Sequence, residues 1–211
     1  MKLDLQKYTL FTAIFVTIYV LFRVVRKCYA WAGIYLWLDH PIRAQLVGLG
    51  TELLFYAVIA LFFLAIWANR NCLPKPDSQW TPTRYIMAFS LIYLLIFQAQ
   101  MICSYPISYS RVFYYTLWII SVIYVEAIWM FYKQTKSLQT GNTYSLSKTR
   151  ASLVLWTAFL LLASVLVGIV FAVLWWSIDA EWIHRWHWRI PTMITAVSEI
   201  LLILFLTVKN K

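Results

Sequence analysis

The stretch Ala151–Trp176, ASLVLWTAFLLLASVLVGIVFAVLWW, decides the fold: 26 consecutive residues carry no charged side chain. A helix needs about 20 apolar residues, at about 1.5 Å each, to cross the hydrocarbon core of a bilayer. Backbone N–H and C=O groups in lipid find no water, so only helices and closed β-barrels cross it. A barrel strand alternates apolar and polar residues over about ten positions, and Phe159–Leu166 shows no alternation. The segment reads as a membrane helix.

Working outward, five more apolar stretches fit the same reading: residues 10–25, 44–67, 85–103, 112–132 and 191–208. The expected fold is an all-α integral membrane protein, one transmembrane domain over 1–211 with six spans and short loops. Prolines punctuate it, with Pro74, Pro76 and Pro82 between the second and third spans, Pro106 between the third and fourth, and Pro191 opening the sixth. The first span is no cleavable signal, because Arg23-Val-Val-Arg26-Lys27 follows it where a small-residue cleavage site would stand. Two aromatic segments, Cys28–Leu38 and Ser177–Ile190 with Trp182, Trp186 and Trp188, are too short to span and are expected at the interface.

Composition agrees. Hydrophobic residues make up 63% and charged residues 12%, against roughly 45–50% and about 25% in soluble domains. A soluble chain of this size could not hide so much apolar surface. The net charge of +10 has a topological explanation. With the N-terminus cytoplasmic, the inner side carries 11 Lys and Arg and the outer side 7, counted from the six-span reading. Both termini are therefore expected inside, although the basic cluster from Arg23 to Lys27 opposes this. The loop Lys133–Arg150, KQTKSLQTGNTYSLSKTR, has four basic residues, no acid and only Tyr144 as an aromatic. Nucleic-acid binding needs aromatic platforms among the cations, so none is expected. Lys133, Lys136, Lys148 and Arg150 are instead expected to meet anionic lipid headgroups or to dock a cytoplasmic protein partner.

Three of the eight acids, Glu52, Glu126 and Glu199, fall inside spans. An ionised carboxylate at that depth costs several kcal/mol, so each is expected to face protein or a watered cavity and to be largely neutral. Together with Gln98, Gln100, Ser90 and Ser121 they are expected to join helices by hydrogen bonds; conduction of protons or ions is the alternative reading. Asp39, His40 and Arg43 before the second span, and His184 and His187 before the sixth, form polar rims. Two histidines three apart without a third ligand do not define a metal site, and no metal or cofactor is expected. No nucleophile motif such as G-x-S-x-G, H-E-x-x-H or C-x-x-C occurs. A lipid-modifying enzyme using the two rims is therefore the weakest alternative. Cys28 and Cys103 share the outer side in this topology, where an oxidising compartment would allow a disulfide, and Cys72 is expected as a free thiol. Acylation is an alternative for all three, and inert cysteines at helix ends are the preferred reading.

Within the spans there are three glycines, Gly48, Gly50 and Gly168, and Pro stands only at a span edge. Broken transporter helices need such residues near mid-membrane, so a static bundle is expected. The functional expectation is a non-catalytic membrane-embedded subunit (sensor, anchor or scaffold) that assembles with itself or with a cytoplasmic protein. Its expected place is a bacterial inner membrane.

Overall fold

The structure is a computed structural model that describes residues 4–31, 41–75, 80–103, 111–136, 138, 143–178, 181–187 and 189–208. The side chains of 26–31, 41–49, 97, 100–103, 111–118, 176, 181, 184 and 185 lie outside that description. Seven helices are described: α1 (Leu5–Trp31), α2 (Pro41–Ala68), α3 (Trp80–Cys103), α4 (Arg111–Lys136), α5 (Lys148–Ser177), α6 (Glu181–Trp186) and α7 (Arg189–Thr207). Two short strands, β1 (Leu73–Pro74) and β2 (Thr143–Tyr144), pair antiparallel.

Four helices contain stretches long and apolar enough to cross a membrane: Leu5–Val25, Gly50–Ala68, Lys148–Trp175 and Arg189–Thr207. This is the character of a multi-pass membrane protein. The helices α3 and α4, of 24 and 26 residues, match the remaining two expected segments in position. Most helices run past the expected boundaries, because a helix need not stop where its hydropathy falls. α1 continues through Arg23 and Cys28 to Trp31, so the segment expected at the interface begins as its last turn; residues 32–38 lie outside the described residues. Of the second aromatic segment, Glu181–Trp186 forms the short α6.

The six long helices close on themselves in space in the order α1, α2, α5, α7, α3, α4 and back to α1. Apolar burial drives little association in lipid, so packing and hydrogen bonds between helices must hold this ring. On α1 and α2, Tyr19 stacks on Phe55 with ring centroids 4.6 Å apart. Trp129 of α4 donates its indole N–H to the Thr17 hydroxyl of α1 at 3.0 Å. Ser164 of α5 donates to the Pro191 carbonyl of α7 at 3.1 Å. Inside the ring, Phe62 of α2 meets Phe131 of α4 edge-on at 5.7 Å, and Trp80 of α3 lies 6.3 Å from Phe131. This half of the interior is filled by aromatic rings. The outer surface is apolar, as lipid requires, and Phe89 at 74% exposure is its extreme.

Most buried hydroxyls are satisfied without a neighbouring helix. Thr9, Thr12 and Thr157 each donate to the carbonyl four residues earlier, while Thr195 and Ser198 use the one three residues earlier. A polar residue of this kind crosses hydrocarbon at small cost.

Where α2 and α5 pack, Gly168 faces the tip of the Leu53 side chain. A Cβ there would come within 2.5 Å of Leu53 Cδ2. Gly168→Val is expected to lower stability by about 1–3 kcal/mol through overpacking, read as a shift in thermal unfolding in detergent. The double variant Gly168→Val with Leu53→Ala should recover most of that loss; no recovery would dissociate the effect from this contact.

Candidate functional site

Glu199 is the eleventh of the 19 residues of α7, the middle of a helix apolar enough to span. Thr195, Ser198, Phe205 and Leu206 are buried along the same inner stripe of α7, which places the carboxyl inside the bundle. Gln98 of α3 meets it there and donates its Nε2 hydrogen to Glu199 Oε1 at 3.0 Å. Both side chains are buried, at 6% and 8% exposure. The second oxygen of each, Gln98 Oε1 and Glu199 Oε2, is buried without a hydrogen-bond partner.

Tyrosines of facing helices complete the surroundings. Tyr56 of α2 and Tyr124 of α4 both lie within electrostatic reach of Glu199. Ser90 of α3 donates to the Tyr124 hydroxyl at 3.4 Å. Tyr56 also feels Glu52, Tyr19 and Arg23. Arg23 donates to the Tyr19 hydroxyl at 3.3 Å and places its guanidinium 5.7 Å from that ring.

The three intramembrane glutamates therefore occupy three different settings. Glu199 is buried and bonded to Gln98. Glu52 precedes Tyr56 by one helical turn and Phe55 by three residues, so it follows the inner stripe of α2, yet it is exposed. It lies about 200° around the helix from Leu54, which faces outward at 53% exposure. Glu52 is thus exposed in the half of α2 away from the aromatic interior. Glu126 departs from the expectation of a carboxyl facing protein or a cavity. It is exposed on the outer face of α4, in line with Ile119 at 61% and Val122 at 58%, and about 200° from both Tyr124 and Ile128, which point inward. The side chain of Gln100 lies outside the described residues, and Ser121 is half-buried on α4.

The opposite end of the bundle holds the basic residues. β1 follows α2 and β2 follows α4, with Leu73 opposite Tyr144 and Pro74 opposite Thr143. Leu146 extends the contact by donating its N–H to the Arg70 carbonyl at 2.8 Å. Two loops are thereby fastened together over the aromatic interior, with Leu73 only 1% exposed.

Arg150 corrects the expectation that it docks a partner, because it points inward at 6% exposure. Its Nε donates to the Phe205 carbonyl at 3.3 Å, its guanidinium lies 4.5 Å from the Phe205 ring, and it hydrogen-bonds Tyr144. A guanidinium with these partners is a fastener between β2, α5 and α7. Lys133, Lys136 and Lys148 are exposed, Lys136 lying 5.2 Å over the Tyr132 ring. Position alone separates these three from Arg150, and no pattern in the sequence distinguishes them.

His187 stacks on Trp175 at 4.8 Å between centroids, with Nδ1 3.3 Å from the Ile183 carbonyl. That geometry ties α6 to α5. Asp39, His40 and the side chains of Arg43 and His184 lie outside the described residues, as do those of Cys28 and Cys103. Cys72 is free and exposed. Among the described residues no group of three His, Cys, Asp or Glu has the arrangement of a metal site.

Burial pushes the Tyr144 hydroxyl above its ordinary range, while the Arg150 and Arg84 charges pull it down. Stability linked to this group is fully present below pH 10.0, the ordinary tyrosine value. It is lost as pH rises through the higher folded value. Arg150→Gln is expected to move the Tyr144 phenol further up, read as the difference in phenolate absorbance against Tyr144→Phe. Arg150→Ala should cost about 2 kcal/mol by removing a charged donor from a buried carbonyl, and Arg150→Lys should restore only part because it lacks the guanidinium fork. Comparison of this chain with family models, with characterised proteins and with solved structures found no match.

Proposed function

We propose that the chain is a non-catalytic, membrane-embedded subunit of six spans that associates with a second copy of itself through the outer face of α4. The observation that carries this reading is Glu126, the sixteenth of 26 residues in α4. It stands on an outward apolar stripe and has no partner among the described residues. An ionised carboxyl left against lipid at that depth costs several kcal/mol, and a neutral one still lacks a hydrogen-bond partner. A partner face must therefore be apolar and offer one hydrogen-bonding group at the same depth. The same face of a second copy satisfies both conditions, because a two-fold axis sets Glu126 opposite Glu126. A carboxyl pair of this kind contributes about 1–2 kcal/mol.

The six-span topology draws support from the paired loops. β1 and β2 are on one side, so α3 and α4 cross together or not at all. Their lengths, and the packing of Val125, Ile128 and Trp129 of α4 against Ala13, Val16 and Val20 of α1, favour crossing. The paired loops carry Arg70, Lys75 and Tyr144, and the helix ends beside them carry Arg84, Lys133, Lys136, Lys148 and Arg150. That concentration favours this end, and with it both termini, on the cytoplasmic side. Exposed Lys133, Lys136 and Lys148 then meet anionic headgroups or an acidic partner. A bacterial inner membrane accommodates this arrangement.

Association is measured by energy transfer between labelled copies in liposomes. Glu126→Gln should keep the dimer and Glu126→Leu should weaken it by about tenfold, the equivalent of about 1.4 kcal/mol. Glu199→Gln should leave it unchanged. A monomeric wild-type protein, or equal association of all variants, would overturn this function.

A further inference from the structure

We propose that Glu199 and Gln98 form a proton-binding site inside the bundle, in which Glu199 holds a proton and donates it to the Gln98 carbonyl oxygen. An amide and a carboxylic acid are complementary: each offers one donor and one acceptor side by side. Half of that pairing is visible, since Gln98 Nε2 donates to Glu199 Oε1 at 3.0 Å. The two oxygens left over, Glu199 Oε2 and Gln98 Oε1, are both buried and both without partner. Two acceptors cannot bond each other, and leaving both bare costs about 1–3 kcal/mol each. A proton on Oε2 turns one of these acceptors into a donor, and the Gln98 carbonyl oxygen, on the same amide as the bonded Nε2, is the acceptor assigned to it.

The surroundings favour a proton over a fixed counter-ion. Tyr56 of α2 and Tyr124 of α4 are the titratable groups that interact electrostatically with Glu199, and Tyr56 interacts in turn with Glu52 of α2 and with Tyr19 and Arg23 of α1. α3 contributes Gln98 and Ser90, and α5 meets α7 through Ser164 and the Pro191 carbonyl. Arg23 is the one basic residue in this set, and it is engaged with Tyr19. At the other end Arg150 is held by the Phe205 carbonyl, and Phe205 is six residues from Glu199 along α7.

Proton exchange is assigned to the side opposite the paired loops. Glu52 is exposed while following the inner stripe of α2, and Tyr56 interacts electrostatically with both Glu52 and Glu199. Toward the basic end, Phe62, Phe131 and Trp80 fill the interior. On release the Glu199 O–H bond breaks, its electron pair stays on the carboxylate, and the proton passes to water or to the Glu52 carboxylate. The carboxylate keeps the Gln98 amide hydrogen bond. The site is therefore a dead end that takes up and returns one proton from the side opposite the paired loops. This inference is independent of association through α4.

Infrared difference spectroscopy on the full chain in liposomes tests the proposal through the carbonyl stretch of a protonated carboxyl. Glu199→Gln preserves two hydrogen bonds as an amide–amide pair, so the fold is retained. Wild type at neutral pH should show a carboxyl band that Glu199→Gln lacks and Glu126→Gln keeps. Gln98→Leu should shift that band to higher frequency, because the acid hydrogen loses its acceptor; Gln98→Met gives the same reading should the leucine variant not fold. A missing band in wild type, or a band unmoved by either Gln98 variant, would overturn the proposal. Loss of the band when NaCl replaces KCl at constant pH would overturn it too, identifying a sodium site.

Discussion

Removing a polar group from water without giving it a partner is the cost around which this bundle is organised. In hydrocarbon no water repays it, so each polar side chain is satisfied within its own helix, by a neighbouring helix, or not at all. Thr9, Thr12 and Thr157 take the first course through their own backbone carbonyls. Trp129 with Thr17, Ser90 with Tyr124, and Gln98 with Glu199 take the second. Those three pairs fasten α1 to α4, α3 to α4 and α3 to α7, three successive joints of the ring. Hydrogen bonding and specificity of packing thus coincide, as expected where apolar contact alone favours no arrangement over another.

The interior divides into two halves with different chemistry. Toward the paired loops it is aromatic and closed, built from Phe62, Phe63, Phe131 and Trp80 and covered by Leu73. On the other side it is polar, with Tyr56, Tyr124, Gln98 and Glu199 in depth and Glu52 and Arg23 nearer solvent. A closed half is poor ground for a through-going path and good ground for rigidity. The polar half holds the one buried carboxyl–amide pair between helices among the described residues.

The glutamates show how far sequence reading reaches. Their depth was legible, because hydropathy locates a charge along a helix. Their orientation was not. Glu52, Glu126 and Glu199 look alike as single acids in apolar runs, yet one is exposed on an inner stripe, one faces outward and one is buried. Which way each points depends on which neighbours its helix receives. Arg150 makes the same point. It reads as one of four loop cations, but the pairing of β2 with β1 draws it under the loop to Phe205. The strand pair itself left no signal, since two residues on each side make no alternating pattern.

The sequence alone determined the solvent and the secondary structure: uncharged runs such as Ala151–Trp176 can be stable only as helices in lipid, because backbone groups there must bond within the segment. It also determined the basic loop and the scarcity of helix breakers. Only the tertiary structure decided that six helices close into a ring, that Gln98 meets Glu199 across 101 positions of chain, and that Glu126 is left on the outside. The reason is physical: hydropathy is a property of each segment, whereas pairing depends on the rotation of each helix about its axis. That rotation is fixed by contacts such as Gln98 with Glu199 and Tyr19 on Phe55, which exist only once the helices have met.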